Sequence, residues 1–244
     1  PAAGTVSADL TVDAGKDLTS FQGKGTVKAG ALVLAHLGKR GQPLEADVAF
    51  DVDVDTKAPR YLVRALKVQG TGVDVSGSLD ANSTSLAGVK TADVKAKIQD
   101  LKRVLAVLPP GTAALPEELT LAGPIQAQLL GNAQSVDLTV NLDQAKVAWS
   151  DSFDKAPGRA LNLTMKGKRA GDVLAVEPFA LQVDTARIAG KLGLPMNDDA
   201  PLTADIQSGA VTFASLQSII PPFAEALRKG DRVDGTFSLQ ATAK

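Results

Sequence analysis

From Ala46 to Asp55 the apolar residues fall at every second position: Val48, Phe50, Val52 and Val54 alternate with a set that includes Asp47, Asp51, Asp53 and Asp55. A β-strand points successive side chains to opposite faces, so a period of two makes one greasy face and one wet face. A helix would scatter the same residues around its circumference. The alternation returns in Val6, Ala8, Leu10, Val12 and in Val73, Val75, Gly77, Leu79. It returns again in Val136, Leu138, Val140, Leu142, in Leu161, Leu163, Met165, in Phe179, Leu181, Val183 and in Phe237, Leu239, Ala241. Turn residues separate these runs: Asp13-Ala14-Gly15-Lys16, Gly38-Lys39-Arg40-Gly41, Lys155-Ala156-Pro157-Gly158 and Arg169-Ala170-Gly171-Asp172. The chain is therefore expected to be mainly β, an antiparallel meander.

Two stretches depart from that period. Between Thr91 and Leu108, Val94, Ile98, Leu101, Leu105 and Leu108 are spaced by threes and fours, which predicts an amphipathic helix stopped by Pro109-Pro110. Between Phe213 and Arg228, Leu216, Ile219, Ile220, Phe223 and Leu227 surround Pro221-Pro222, which predicts a short helix, a break and another helical turn.

Laying the chain over itself exposes a repeat. Gln69, Gly77 and Leu79 recur as Gln182, Gly190 and Leu192, each 113 positions later. The Pro-Pro pairs at 109 and 221, and Gly123 and Gly235, are 112 apart, and Pro43 and Pro157 are 114 apart. The reading is a first strand-rich repeat over 1–122, a second over 123–234, and the first strand of a third over 235–244. No Gly/Ser/Pro linker separates the copies, which favours a stacked array over two independent domains.

Composition narrows function by exclusion. The chain has 26 Lys and Arg against 27 Asp and Glu, interspersed, so it lacks the clustered basic face that nucleic acid requires. Without cysteine there is no disulfide, thiolate metal site or cysteine nucleophile. No apolar run approaches the roughly 18 residues of a membrane-spanning helix. The opening Pro1-Ala2-Ala3-Gly4 is not a secretory leader, and the closing Phe237 to Lys244 reads as a strand in progress, so a fragment of a longer protein is expected.

Little in the chain points to catalysis. The single histidine, His36, sits in the apolar run Ala31 to Leu37, and no Gly-x-Ser-x-Gly elbow accompanies any serine. Asp51, Asp53 and Asp55 begin like a calcium loop, but valines intervene and neither the glycine nor the late glutamate of such a loop follows in register. The glycines of 23–30 fit no nucleotide-binding pattern. Trp149 alternates with Ala145 and Val147 and reads as a core or groove residue. No enzyme, cofactor or metal site is expected.

A strand with a central glycine occurs twice, as Val73-Asp74-Val75-Ser76-Gly77-Ser78-Leu79 and as Ala186-Arg187-Ile188-Ala189-Gly190-Lys191-Leu192. After the first comes the leucine-rich run Leu101 to Pro110, and then the strand opening Leu121-Ala122-Gly123-Pro124-Ile125. In this succession the chain resembles the AsmA-like proteins, bacterial relatives of TamB and of bridge-like lipid transfer proteins. The resemblance implies an elongated, curved antiparallel sheet, a β-taco or groove built from tandem repeats, each with one short amphipathic helix. It implies phospholipid, or another acyl-chain lipid, as ligand and outer-membrane biogenesis as setting. It also implies the periplasm of a Gram-negative cell envelope, inner-membrane anchoring through parts of the protein outside this chain, and envelope proteins as further partners.

The residues expected to line such a groove are Val48, Phe50, Val52 and Val54, then Val73, Val75 and Leu79, then Val136, Leu138 and Val140, then Phe179, Leu181, Val183, Ile188 and Leu192. The same side chains could equally fill an ordinary closed core. The competing expectation is a structural or adhesive β-rich module of an envelope or surface protein, binding through its loops.

Overall fold

The computed structural model describes residues 3–33, 44–70, 72–83, 88–99, 101, 104, 116–196, 202–227 and 235–243. The chain is mainly β, with its strands paired antiparallel. Two units divide it, one of Pro1–Ala114 with Gln128–Ala133, the other of Leu115–Ala127 with Gln134–Lys244.

The first unit is a meander of β1 (Ala3–Ala14), β2 (Ser20–Val33), β3 (Leu44–Asp55), β4 (Arg60–Gly70), β5 (Val73–Ala81) and β6 (Val89–Ile98), joined by part of β8 (Ile125–Gly131). Its turns follow from the side chains in them. Asp55 Oδ1 accepts from the backbone N–H groups of Lys57 and Ala58, both at 2.9 Å, which closes the β3–β4 turn. Asp17 does the same for Thr19 between β1 and β2; the Thr19 hydroxyl holds its carboxyl below the ordinary range.

One expected element is overturned here. The helix predicted from Thr91 is strand β6 as far as Ile98, paired along its length with β5; helical geometry is found beyond it, at Leu101 and Val104. Ala92, Val94, Ala96 and Ile98 alternate with Asp93, Lys95 and Lys97, a strand period that two small alanines disguise. The pairing offered by β5 decides between the two periods, since tertiary context overrides a weak local preference. The expected helix beyond Val104, the Pro109-Pro110 stop, His36 and the turn at 38–41 lie outside the described residues.

The second unit carries the rest of β8, then β9 (Ser135–Asn141), β12 (Leu161–Ala170), β13 (Val173–Val183), β14 (Ala186–Pro195), β15 (Thr203–Ser208) and β18 (Gln240–Ala243) in its main sheet. Beside these are a three-stranded sheet in the order β11-β10-β7, from Phe153–Lys155, Lys146–Trp149 and Leu119–Ala122, and a pair of β16 (Val211–Thr212) with β17 (Thr236–Phe237). The expected strand from Phe237 is thus broken, with Leu239 exposed between β17 and β18. The stretch 213–228 contains α1 (Phe213–Gln217), whose N-cap Thr212 accepts from Ser215 N, and α2 (Pro221–Leu227). Pro221 opens α2, where a missing N–H costs nothing.

Candidate functional site

In an antiparallel pair, directly opposed residues share a face, so register alone assembles the site. Phe50 of β3 faces Gly25 of β2 and Leu66 of β4; beyond these come Leu10 of β1, Gly77 of β5 and Val94 of β6. Val48 lies in the row Ala8, Val27, Val48, Val68, Val75, Ala96, and Val52 in the row Val12, Gly23, Val52, Val63, Leu79, Ala92. Val54 joins Ala14, Phe21, Tyr61, Ala81 and Val89. Four rows six strands wide therefore contain no charged side chain.

The opposite face is its complement. One of its rows reads Asp9, Thr26, Ala49, Lys67, Ser76, Lys95, and another Ser7, Lys28, Asp47, Gln69, Asp74, Lys97. Asp51 and Asp53, weighed above as a calcium loop, bind Arg64 instead at 2.8 and 2.9 Å. A bulge in β4 brings Arg64 there, since the register slips between Ala65 and Val63. The hydrogen bond to Asp51 raises the pKa of that guanidinium further. Two open depressions of about 590 and 430 Å³ are lined mainly from this wet face, the larger by Asp9, Thr11, Lys24 and Asp51 among others.

Among the described residues of these four rows, only Gly23 and Ala81 are buried. Their outer members are wet: Leu10 and Val12 are 52% and 66% exposed. Val48, Phe50, Val52, Val54, Val73, Val75 and Leu79 are all half-buried.

The second unit holds the remaining expected residues on one face of its own sheet. Val140, Leu163, Leu181 and Ile188 form one row, Leu138, Met165, Phe179, Gly190 and Ile206 a second, and Val136, Gly167, Val176, Leu192 and Ala204 a third. Val183 pairs with Leu161 and Ala186. Val176 is sealed at 1% exposure, whereas the expected lining residues around it are half-buried.

The central glycines have a steric reason. A Cβ on Gly77 would come within 2.6 Å of the Asp93 carbonyl oxygen, and one on Gly190 would collide with the carbonyl of Asp205. Gly25 is blocked in the same way by Asp9. At all three the neighbouring backbone occupies the space of a side chain.

Two polar clusters sit outside the apolar faces. Lys155 is completely buried, and its ammonium donates to the carbonyl oxygens of Leu142, Asp143 and Ala145 at 2.7, 2.9 and 2.7 Å. Burial pushes its pKa down against the opposing pull of Asp143. Asp184 accepts from Arg159 and from the buried Ser215, both at 3.0 Å, which ties α1 to the β13–β14 turn. Both clusters satisfy backbone and turn groups. Trp149, expected in a core or groove, is 47% exposed and so in no closed core, opposite Leu119 and Phe153 in the small sheet.

The sequence reading missed β2 and β4. Glycines take the apolar positions at 23 and 25 of β2, and the bulge at Arg64 and Ala65 shifts β4 from odd apolar positions, Tyr61 and Val63, to even ones, Leu66 and Val68. Comparison with protein-family models, with curated proteins and with solved structures finds no match.

Proposed function

We propose that this chain is a non-enzymatic, lipid-carrying segment of an AsmA-like envelope protein, its aliphatic sheet face taking the acyl chains of phospholipid. The observation that carries the reading is the charge-free set of rows from β1 to β6, of which only Gly23 and Ala81 are buried among the described residues. An acyl chain of about 16 carbons would lose on the order of 10 kcal/mol in open water, at roughly 0.8 kcal/mol per methylene. An aliphatic face recovers much of that without reading any polar group.

The tandem organisation belongs to the same proposal. β4 and β13 both span eleven residues, beginning at Arg60 and Val173, and β5 and β14 begin at Val73 and Ala186, each pair 113 positions apart. Both β4 and β13 carry a register slip, between Val63 and Leu66 in one and between Val176 and Phe179 in the other. Repeating sheets of this kind would present their aliphatic faces as a groove in the periplasm of a Gram-negative bacterium. Anchoring to the inner membrane, and contacts with other envelope proteins, would come from outside this chain.

The test is to purify the chain without detergent, extract it and analyse the extract by mass spectrometry, then to titrate the stripped protein with a fluorescent phospholipid. Stoichiometric phospholipid and saturable uptake are expected. A folded protein that neither carries nor takes up lipid rejects the reading and leaves the structural module.

A further inference from the structure

We propose that Tyr61 sets which way a lipid lies on the aliphatic face of the first unit. Its hydroxyl donates to the carbonyl oxygen of an ester-linked acyl chain, and the chain runs from there along the strands towards the Val48 row. This role for Tyr61 rests on the lipid-carrying reading above and adds to it the polar end of the site and the group recognised there.

In the four rows from β1 to β6 the Tyr61 hydroxyl is the one polar side-chain atom. Every other member is glycine, alanine, valine, leucine or phenylalanine. Tyr61 stands in the last of these rows, with Ala14, Phe21, Val54, Ala81 and Val89, next to the β3–β4 turn. That turn carries Thr56 and Lys57 and leads to Arg60, all three exposed. Tyr61 itself is half-buried, and its hydroxyl has no hydrogen-bond partner among the described residues. A tyrosine offers an apolar ring and a polar tip, so here the ring continues the aliphatic face and the tip is left to water or a ligand.

The dimensions agree with this direction. Val48 and Val54 are six residues apart on β3, about 20 Å at roughly 3.3 Å per residue. One acyl chain fills half of a bilayer's hydrocarbon core, about 15 Å. With its carbonyl at Tyr61, such a chain ends between the Phe50 and Val48 rows and meets only aliphatic and aromatic side chains on the way. Laid in the opposite direction, its ester would fall on Ala8, Val27, Val48, Val68, Val75 and Ala96, where no side chain can donate to it.

The test keeps headgroup and chain length constant and changes only the linkage. Dipalmitoyl phosphatidylcholine and its dihexadecyl ether analogue, which lacks both carbonyls, are each used to displace a fluorescent phospholipid from the stripped whole chain. The diester is expected to bind about fivefold more tightly than the diether, the increment of one hydrogen bond. Tyr61→Phe should abolish that difference by weakening the diester alone. Failure of the folded protein to take up any of the three lipids rejects the lipid reading, and the role of Tyr61 with it. Equal affinity of the wild-type chain for diester and diether leaves the lipid reading standing and overturns the role of Tyr61, without need of a variant. So does a diester preference that survives Tyr61→Phe. Equal weakening of both lipids in a variant whose circular dichroism is unchanged would also overturn it, because the hydroxyl would then belong to the fold and not to the site.

Discussion

Gly77 and Gly190 occupy the same place in their sheets: each lies between a large apolar residue, Leu66 or Phe179, and a branched one, Val94 or Ile206, with a neighbouring backbone carbonyl where its Cβ would be. Substituting alanine at either site must push two strands apart, because the obstacle is main chain rather than a movable side chain. Gly77→Ala and Gly190→Ala are each expected to cost about 1–3 kcal/mol. Gly209→Ala should change stability little, since its Cβ would meet only the Arg187 carbonyl at 3.7 Å. Urea denaturation of the three variants checks the ordering.

The same glycines show how much of the fold was legible. Wherever a strand kept one parity and large aliphatics, as in β3 and β9, the sequence displayed both the strand and its greasy face. Where glycine took the apolar positions, as in β2, the face existed but the letters did not mark it. In β4 a bulge reversed parity halfway, and in β6 alanines thinned the alternation until a longer leucine series suggested a helix. The candidate lining residues could be chosen because alternation assigns a face; whether another layer covers that face depends on contacts between distant segments, which periodicity does not encode.

A second prediction separates an open face from a packed core. Phe50→Ser and Val52→Asn introduce polar groups into half-buried positions. Each should cost less than about 2 kcal/mol, whereas a sealed core would lose about 3–5 kcal/mol on comparable truncation. Bound phospholipid, measured on the same samples, should fall sharply. Unfolding of both variants at ambient temperature would contradict an open face.

The tie between α1 and the β13–β14 turn gives a local prediction. Asp184 is the common acceptor for Arg159 and Ser215, and Ser215 is buried. Asp184→Ala leaves that hydroxyl without its carboxylate and should cost about 1–3 kcal/mol. The loss should show as faster amide exchange in Phe213–Gln217, with the amides of β3 unchanged. Equal acceleration in both would mean that the contact is not local to α1.

Lys155 makes the sharpest case for pH. Its ammonium is enclosed by three carbonyl oxygens, so Lys155→Met buries those acceptors without a donor and should cost at least about 2 kcal/mol. The folded pKa lies below the ordinary 10.5 because burial penalises the charge. Between the depressed value and 10.5 the unfolded chain therefore binds more protons than the folded one, and this group's contribution to stability rises with pH across that window. Below the window both states are protonated and the burial penalty is felt in full. Stability measured by urea titration at successive pH values should carry this rising component in the wild-type chain, and Lys155→Met should remove it. An unchanged alkaline slope in the variant would show that the amine titrates alike in both states.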